Sequence, residues 1–134
     1  MKTLHDYITL NPFNTFVIVK PEFTKKAKEI MSLFLEKGYV IAKYCGKRLT
    51  YEEAQELYKV HKDEDFYEDL CKYMSSGLSV GYCLNYTGSK DPIEYTNKIK
   101  NNIRETFGKD EMKNALHSSD SVENVTREAA IYFK

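Results

Sequence analysis

Thr15-Phe16-Val17-Ile18-Val19 is a short apolar run rich in β-branched residues, and Lys20-Pro21 follows it directly. Runs of this kind are typical of strands that are buried on both faces of a sheet. Proline ends the strand because it has no backbone N–H to donate. We therefore predict a central strand over residues 15–19, with Lys20 at its end. A lysine there is suited to meet phosphate in a cleft, and it is equally compatible with a solvated strand end.

Helical and strand patterns follow one another along the rest of the chain. Apolar side chains at helical spacing predict a helix over residues 23–37, which Gly38 ends, and residues 39–45 form a second strand. Asp91-Pro92 is a helix start, because proline is favoured at the first helical position. The other predicted elements are helices that begin with capping patterns at Thr50 and Asp65, a third strand over residues 78–86, a last helix over residues 121–128 and a final short strand over residues 129–133.

The order of these elements predicts the fold class. The predicted order is strand, helix, strand, two helices, strand, helix, loop, helix and strand. This order fits an α/β (α+β) ferredoxin-like βαββαβ sandwich with additions. We expect a four-stranded antiparallel sheet covered by helices on one face. Residues 1–14 do not continue this pattern, and we treat them as an N-terminal extension ahead of a single domain over residues 15–134.

Composition narrows the function class. The 134 residues include 20 basic and 20 acidic side chains, and this balance argues against general attraction to nucleic acids or anionic membranes. The sequence has no apolar run of about 18 residues that would span a membrane, and residues 1–10 lack the apolar core of a signal peptide. Cys45, Cys71 and Cys83 are odd in number and widely spaced, which indicates reduced thiols rather than disulfides or zinc ligands. We expect a cytoplasmic protein.

Asn114-Ala115-Leu116-His117-Ser118-Ser119-Asp120-Ser121 is the segment most suggestive of chemistry. It places His117 in a short polar loop before a helix that Asp120 is expected to cap. An imidazole near neutral pH is partly unprotonated, so a histidine held there suits nucleophilic or acid–base catalysis. On the pattern alone, a histidine without a catalytic role is the more frequent case. His5 and His61 have no motif around them, and we expect both to be surface residues.

The same segment resembles the active-site signature of nucleoside diphosphate kinases, which usually contains Asn, two apolar residues, His, a small residue, Ser, Asp and Ser. The resemblance covers about residues 15–133, and several separate motifs in the right order are far more specific than any one of them. It is carried by Val19-Lys20-Pro21-Glu22, Tyr58, Phe66, Lys72-Tyr73-Met74-Ser75-Ser76-Gly77, Asp91-Pro92, Ile103-Arg104, Asn114, the run from His117 to Ser121, and Glu128.

The resemblance implies that the protein transfers the terminal phosphoryl group from a nucleoside triphosphate to a nucleoside diphosphate by a ping-pong mechanism. His117 would be the nucleophile that becomes phosphohistidine, and Glu128 would orient its ring. The resemblance places Lys20, Tyr58, Arg104 and Asn114 around the phosphates and the ribose, Phe66 on the base, and Ser119 and Asp120 in support of the loop. Mg²⁺ is expected on the nucleotide phosphates, with no metal held by protein ligands alone.

Ordinary structural roles also explain several of these residues. Glu128 fits a solvated helix position, and Arg104 fits a surface position on an amphipathic helix. Tyr58 and Phe66 fit apolar core positions at helical spacing, and Asp120 fits a simple helix cap. The sequence pattern alone leaves both interpretations open for each residue.

One departure from the family pattern affects the expected phosphate site. Family members usually carry a further helix with a phosphate-binding arginine between the third strand and Asp91-Pro92, but this chain has only residues 83–90 there. Lys90, which stands where the family usually has threonine, and Lys98 are the candidates to replace that arginine, although a lysine is a point charge and not a bidentate fork. The loss motivates an alternative, a nucleotide-binding or interaction module of the same fold with little or no kinase turnover.

A second departure concerns assembly. The chain ends one residue after Phe133, so it lacks the C-terminal extension that helps many family members form hexamers. We therefore expect a homo-oligomer, with a dimer favoured.

Overall fold

A four-stranded sheet organises residues 13–134, the part of the chain that the computed structural model describes. Its strands, in the order β2-β3-β1-β4 with every neighbouring pair antiparallel, are β1 (Thr15–Val19), β2 (Tyr39–Lys47), β3 (Ser79–Tyr86) and β4 (Leu116–Ser118). The ferredoxin-like fold class is thereby confirmed. The extension predicted over residues 1–14 lies outside the described residues except for Phe13 and Asn14.

Five α-helices connect and follow these strands within residues 13–134. They are α1 (Ala27–Leu35), α2 (Tyr51–Leu57), α3 (Tyr67–Met74), α4 (Pro92–Phe107) and α5 (Val122–Tyr132). Short 3₁₀ helices at Thr24–Lys26 and Lys59–His61 precede α1 and follow α2, so the helix predicted over residues 23–37 is shorter than expected. Within this range no helix has both the length and the apolar character that crossing a bilayer requires.

The central strand β1 divides the interior into two apolar cores. All five of its residues are buried, which confirms the prediction of a strand covered on both faces. Phe16 and Ile18 pack with buried residues of α2, α3 and α5, whereas Val17 and Val19 pack with buried residues of α1 and α4. Successive side chains of a strand point to opposite faces, so an entirely apolar strand requires cover on both. The expectation that helices cover only one face is therefore wrong.

The C-terminal segment is helical where the sequence predicted a strand. Residues 129–132 belong to α5, Phe133 is its C-cap, and the fourth strand is instead Leu116–Ser118. The buried Tyr132 ring lies over Gly81 of β3 so closely that a Cβ at Gly81 would lie 2.5 Å from it. The ring fills the space that this glycine leaves open.

Helix caps explain where most of the helices begin. Thr50 and Glu53 form a capping box at α2. Asp91, which precedes Pro92, caps α4 because its carboxylate accepts a hydrogen bond from Glu94 N. The sequence predicted both of these helix starts. The cap predicted at Asp65 is wrong, because backbone turn bonds such as Tyr67 N to Glu64 O occupy the start of α3.

The loop between β3 and α4 is short. β3 ends at Tyr86 and α4 begins at Pro92, so no helix lies between them. The structure thus confirms that the additional helix of the family pattern is missing at this position.

Candidate active site

His117 lies on the short edge strand β4 and not in a polar loop, as the sequence had suggested. Its backbone pairs with Ile18 of the central strand, and this pairing holds the residue against the sheet. The imidazole meets the Tyr58 ring edge-on, with 5.2 Å between the ring centroids. Its side chain is 14% exposed, so the ring is held on several sides while one part still reaches solvent.

Glu128 holds one nitrogen of this ring. Its Oε1 lies 2.5 Å from His117 Nε2 and also accepts a hydrogen bond of 2.8 Å from Ser119 Oγ. The carboxylate side chain is only 5% exposed, so Glu128 is a buried partner and not a solvated helix residue. An ionised carboxylate can only accept hydrogen bonds, so in the neutral ring Nε2 carries the hydrogen and Nδ1 keeps its lone pair.

The last helix begins at Ser121 and not at Asp120. The Ser121 hydroxyl accepts from Asn124 N at the start of α5, whereas the exposed Asp120 carboxylate accepts from the Asn124 side chain. Both contacts support the turn between His117 and α5, and Asp120 also lines the space in front of the histidine.

A cavity of about 430 Å³ opens in front of His117. This volume lies within the range of small-molecule sites. Its lining includes all four of the predicted phosphate and ribose residues together with Phe66. The lining residues are Lys20, Tyr58, His61, Phe66, Leu70, Lys100, Arg104, Glu111, Met112, Asn114, His117, Ser118 and Asp120.

Lys20 is buried at the end of β1, with neutral partners only. Its Nζ donates to Asn114 Oδ1 at 2.8 Å and to the Met112 carbonyl oxygen at 3.2 Å. The Asn114 amide in turn donates to the Glu111 carbonyl oxygen, so its orientation is set from both ends. Burial, followed by repulsion from the Arg104 guanidinium, lowers the pKa of Lys20 to about 7.

Two further cations reach the cavity from α4. Arg104 Nε donates to the Leu116 carbonyl oxygen at 3.1 Å, which ties α4 to the strand that carries His117. Lys100 lies one helical turn earlier on the same face. Burial, followed by repulsion from Arg104, lowers the pKa of Lys100 to about 8. In the described chain, Lys20, Lys100 and Arg104 form no ion pair with a carboxylate.

The Tyr58 hydroxyl has no hydrogen-bond partner among residues 13–134, although it is fully buried at the cavity wall. Burial raises the pKa of this hydroxyl, so it stays protonated and able to donate. An unpaired buried hydroxyl costs about 1–3 kcal/mol, which a ligand oxygen within reach would offset. Tyr58 is therefore part of both the apolar core and the candidate site.

Ala115 has an unusual backbone conformation beside the site. Its φ is 80°, and Leu116 N donates to Asn114 O across it, which makes a γ-turn. A left-handed conformation costs a residue with a side chain about 1–2 kcal/mol. Lys20 N donates to the Ala115 carbonyl oxygen, so the end of β1 holds this turn in place.

Lys100 and His61 line the cavity, although no sequence motif marks either of them as a site residue. Lys100 could have been found from its spacing of four residues from Arg104. His61 packs against Phe66, which is 44% exposed at the rim, with 5.3 Å between the ring centroids. His61 is thus a partly buried cavity residue and not a simple surface histidine, whereas His5 lies outside the described residues.

Lys90 and Lys98 lie elsewhere. Both line a separate depression with Asp91, Glu94 and Tyr95, and Lys90 Nζ lies 4.3 Å from the Tyr95 ring centroid. The structure does not bring either lysine to His117. Within residues 13–134 no group of three His, Cys, Asp or Glu side chains is arranged to hold a metal ion.

Comparison with known proteins gives a consistent result. The family model described as nucleoside diphosphate kinase matches residues 14–134. The nucleoside diphosphate kinase of Aquifex aeolicus is 34% identical over 131 residues, which cover 89% of this chain and 92% of that protein. The nucleoside diphosphate kinase of Hyperthermus butylicus is 34% identical over 128 residues, covering 89% of this chain and 90% of that protein.

Solved structures agree with these sequence matches. The crystal structure of the Aquifex aeolicus nucleoside diphosphate kinase superposes with a TM-score of 0.80 at 32% identity, covering 90% of this chain and 94% of that one. A nucleoside diphosphate kinase family protein from Babesia bovis gives a TM-score of 0.78 at 26% identity, covering 90% and 87%. This chain belongs to the nucleoside diphosphate kinase family.

Proposed function

We propose that this protein transfers the terminal phosphoryl group of a nucleoside triphosphate to a nucleoside diphosphate, through phosphohistidine at His117. The observation that carries this proposal is the contact of His117 Nε2 with the buried Glu128 carboxylate. It leaves Nδ1 as the free nucleophile beside a cavity lined by three cations. Membership of the nucleoside diphosphate kinase family supports the same reaction.

The first half-reaction forms one bond and breaks one bond. The lone pair of His117 Nδ1 attacks the terminal phosphorus, the bond from that phosphorus to its bridging oxygen breaks, and the diphosphate leaves with the bonding electrons. The ring becomes positively charged, and Glu128 stabilises that charge through Nε2–H. A second nucleoside diphosphate then attacks the phosphohistidine, and the reverse exchange regenerates the neutral ring.

Enzymatic phosphoryl transfer depends mainly on neutralising charge and on positioning the reacting groups. We assign these tasks to Lys20, Lys100 and Arg104, and we assign to the unpaired Tyr58 hydroxyl a hydrogen bond to a phosphate oxygen or the ribose. Asn114 orients Lys20. Lys100 takes the role for which the sequence offered Lys90 and Lys98, because it alone of the three lines the cavity.

Mg²⁺ and the base complete the proposed complex. A divalent cation carried by the phosphates would neutralise their charge. The acidic side chains in the cavity lining, Glu111 and Asp120, are too few for an all-protein cage. Phe66 offers an exposed ring face at the rim, and stacking there tolerates different bases.

An alternative is a module that binds nucleotides with little or no turnover. The short connection from Tyr86 to Pro92 favours it, since that loop brings no arginine to the phosphates. The two functions differ in one outcome. The module would bind ADP but pass no phosphate to GDP or dTDP, whereas the kinase would pass it on.

We also propose a cytoplasmic homodimer. The free thiols of Cys45, Cys71 and Cys83 suit a reducing compartment. Strand β2 lies at the sheet edge, where Val40 is 55% and Tyr44 is 65% exposed, and a second copy would cover that edge.

Sedimentation of the wild type at micromolar concentration should give a mass twice that of one chain. Tyr44→Lys should give a lower mass, because it places a charge on the exposed edge strand. A monomer at all concentrations would contradict the dimer.

Labelling tests the nucleophile directly. We expect incubation with γ-labelled ATP and Mg²⁺ to leave acid-labile, base-stable label on the protein, because phosphohistidine has that stability. His117→Ala should take up none, since no other group replaces Nδ1.

His61→Ala is the matched control, because it removes another histidine from the same cavity and should still accept label. Label on the His117→Ala protein would rule out the assignment. Label on the wild type that GDP and dTDP cannot discharge would favour the binding module.

Binding of ADP should weaken as the pH rises from 7 to 9. In the free protein the pKa of Lys20 is about 7 and that of Lys100 is about 8. Phosphates stabilise the ammonium forms, so each pKa is higher in the complex. At a pH above these values, the two lysines are deprotonated in the free protein but protonated in the complex. Binding of ADP is then coupled to proton uptake, so the affinity falls as the pH rises. We expect roughly a tenfold loss of affinity per proton over each pH unit in that range, measured by calorimetry.

Lys100→Arg should reduce the loss of ADP affinity above pH 8, because a guanidinium remains charged. Lys98→Arg, outside the cavity, should keep the wild-type profile. Wild-type affinity that stayed constant up to pH 9 would show that neither lysine meets the phosphates.

A further inference from the structure

Arg127 joins two parts of the structure that both support His117. Its Nη1 donates to the Glu56 carbonyl oxygen at 2.9 Å, and its Nη2 donates to the Leu57 carbonyl oxygen at 3.3 Å. Its Nε donates to Asn124 Oδ1 at 3.1 Å, within its own helix. The same Nη2 lies 3.6 Å from Glu128 Oε2 and forms an ion pair with it. All the nitrogens of the guanidinium are thus engaged.

These contacts join two elements that each present a group to the imidazole. Glu56 and Leu57 are the last residues of α2, and Tyr58, which follows them, meets the His117 ring edge-on. Glu128 of α5 holds Nε2 of the same ring. The guanidinium therefore connects the end of α2 to the carboxylate of α5, and both elements supply a group that contacts the histidine ring.

We propose that Arg127 is a positioning residue that fixes the His117 ring by tying the end of α2 to Glu128. This proposal rests on the proposed role of His117 as the nucleophile. A planar guanidinium can bond two adjacent carbonyl groups and still face a carboxylate, which an ammonium cannot do with the same geometry. A displacement of about 1 Å in a reacting group can cost about a hundredfold in rate, so a looser tie should be visible in turnover.

Arg127→Gln tests the proposal in the full-length protein. We expect single-turnover labelling of His117 by ATP to slow about tenfold while the KM for ATP stays within about twofold, because the variant disturbs the nucleophile and not the phosphate site. Arg127→Lys restores a cation without the planar fork, so it should recover only part of the rate.

Arg48→Gln is the matched control. Arg48 Nε donates to the Ser75 carbonyl oxygen at the end of α3, so this variant also removes an arginine from a helix end, but one that forms no ion pair with Glu128 in the described chain. It should leave both the labelling rate and the KM for ATP unchanged. Equal rates for Arg127→Gln and Arg48→Gln, or a rise in KM alone, would overturn the proposal. If Arg127→Gln does not fold, a wild-type rate in Arg127→Lys would overturn it, and a slower rate at unchanged KM would support it.

Histidine ¹⁵N NMR of the unphosphorylated protein separates this proposal from the proposed function. If the wild type takes no label, the assignment of His117 as nucleophile fails. The positioning role then still predicts that Arg127→Gln changes the Nε2–H signal of His117 and that Arg48→Gln does not. Unchanged His117 signals in Arg127→Gln would overturn the positioning role alone.

Discussion

The contact between His117 Nε2 and Glu128 Oε1 links the edge of the sheet to the last helix, and the candidate site depends on it. The strand places the imidazole, the helix places the carboxylate, and Ser119 bonds the same oxygen from the turn between them. Burial of the carboxylate excludes water that would compete for Nε2. Because one nitrogen is held in this way, the other keeps a defined direction and a free lone pair.

The positive side chains of the cavity are electrostatically unfavourable together until an anion binds between them. Lys20, Lys100 and Arg104 line one cavity without forming an ion pair with a carboxylate in the described chain, and burial, followed by repulsion from Arg104, lowers the pKa of both lysines. The unpaired Tyr58 hydroxyl and the left-handed Ala115 add further cost at the same place. Such groups cluster where a ligand satisfies them, since binding then recovers the interactions that the free protein lacks. Phe66 is 44% exposed at the rim of the cavity, and Lys100 lines the cavity from α4.

Local patterns predicted the fold well and the site only in part. The apolar run at residues 15–19, the capping box at Thr50 and the proline after Asp91 act through neighbouring residues, so the sequence is sufficient to find them. The strand at Leu116–Ser118 was not predicted from the sequence, because three residues form a strand here only through their pairing with β1. Lys98 and Lys100 look alike in sequence, and the direction of the α4 face decides which one lines the cavity in front of His117. Alanine gives no local sign of a left-handed backbone, so the turn at Ala115 could not be predicted.

We propose that Glu128 holds Nε2 of His117 and thereby leaves Nδ1 to receive the phosphoryl group. NMR of the trapped phosphoprotein, which detects phosphorus-31 together with nitrogen-15 incorporated into histidine, shows which ring nitrogen carries the phosphorus. We expect a single phosphohistidine at His117 with the phosphorus on Nδ1. Phosphorus on Nε2, or on any other side chain, would contradict it.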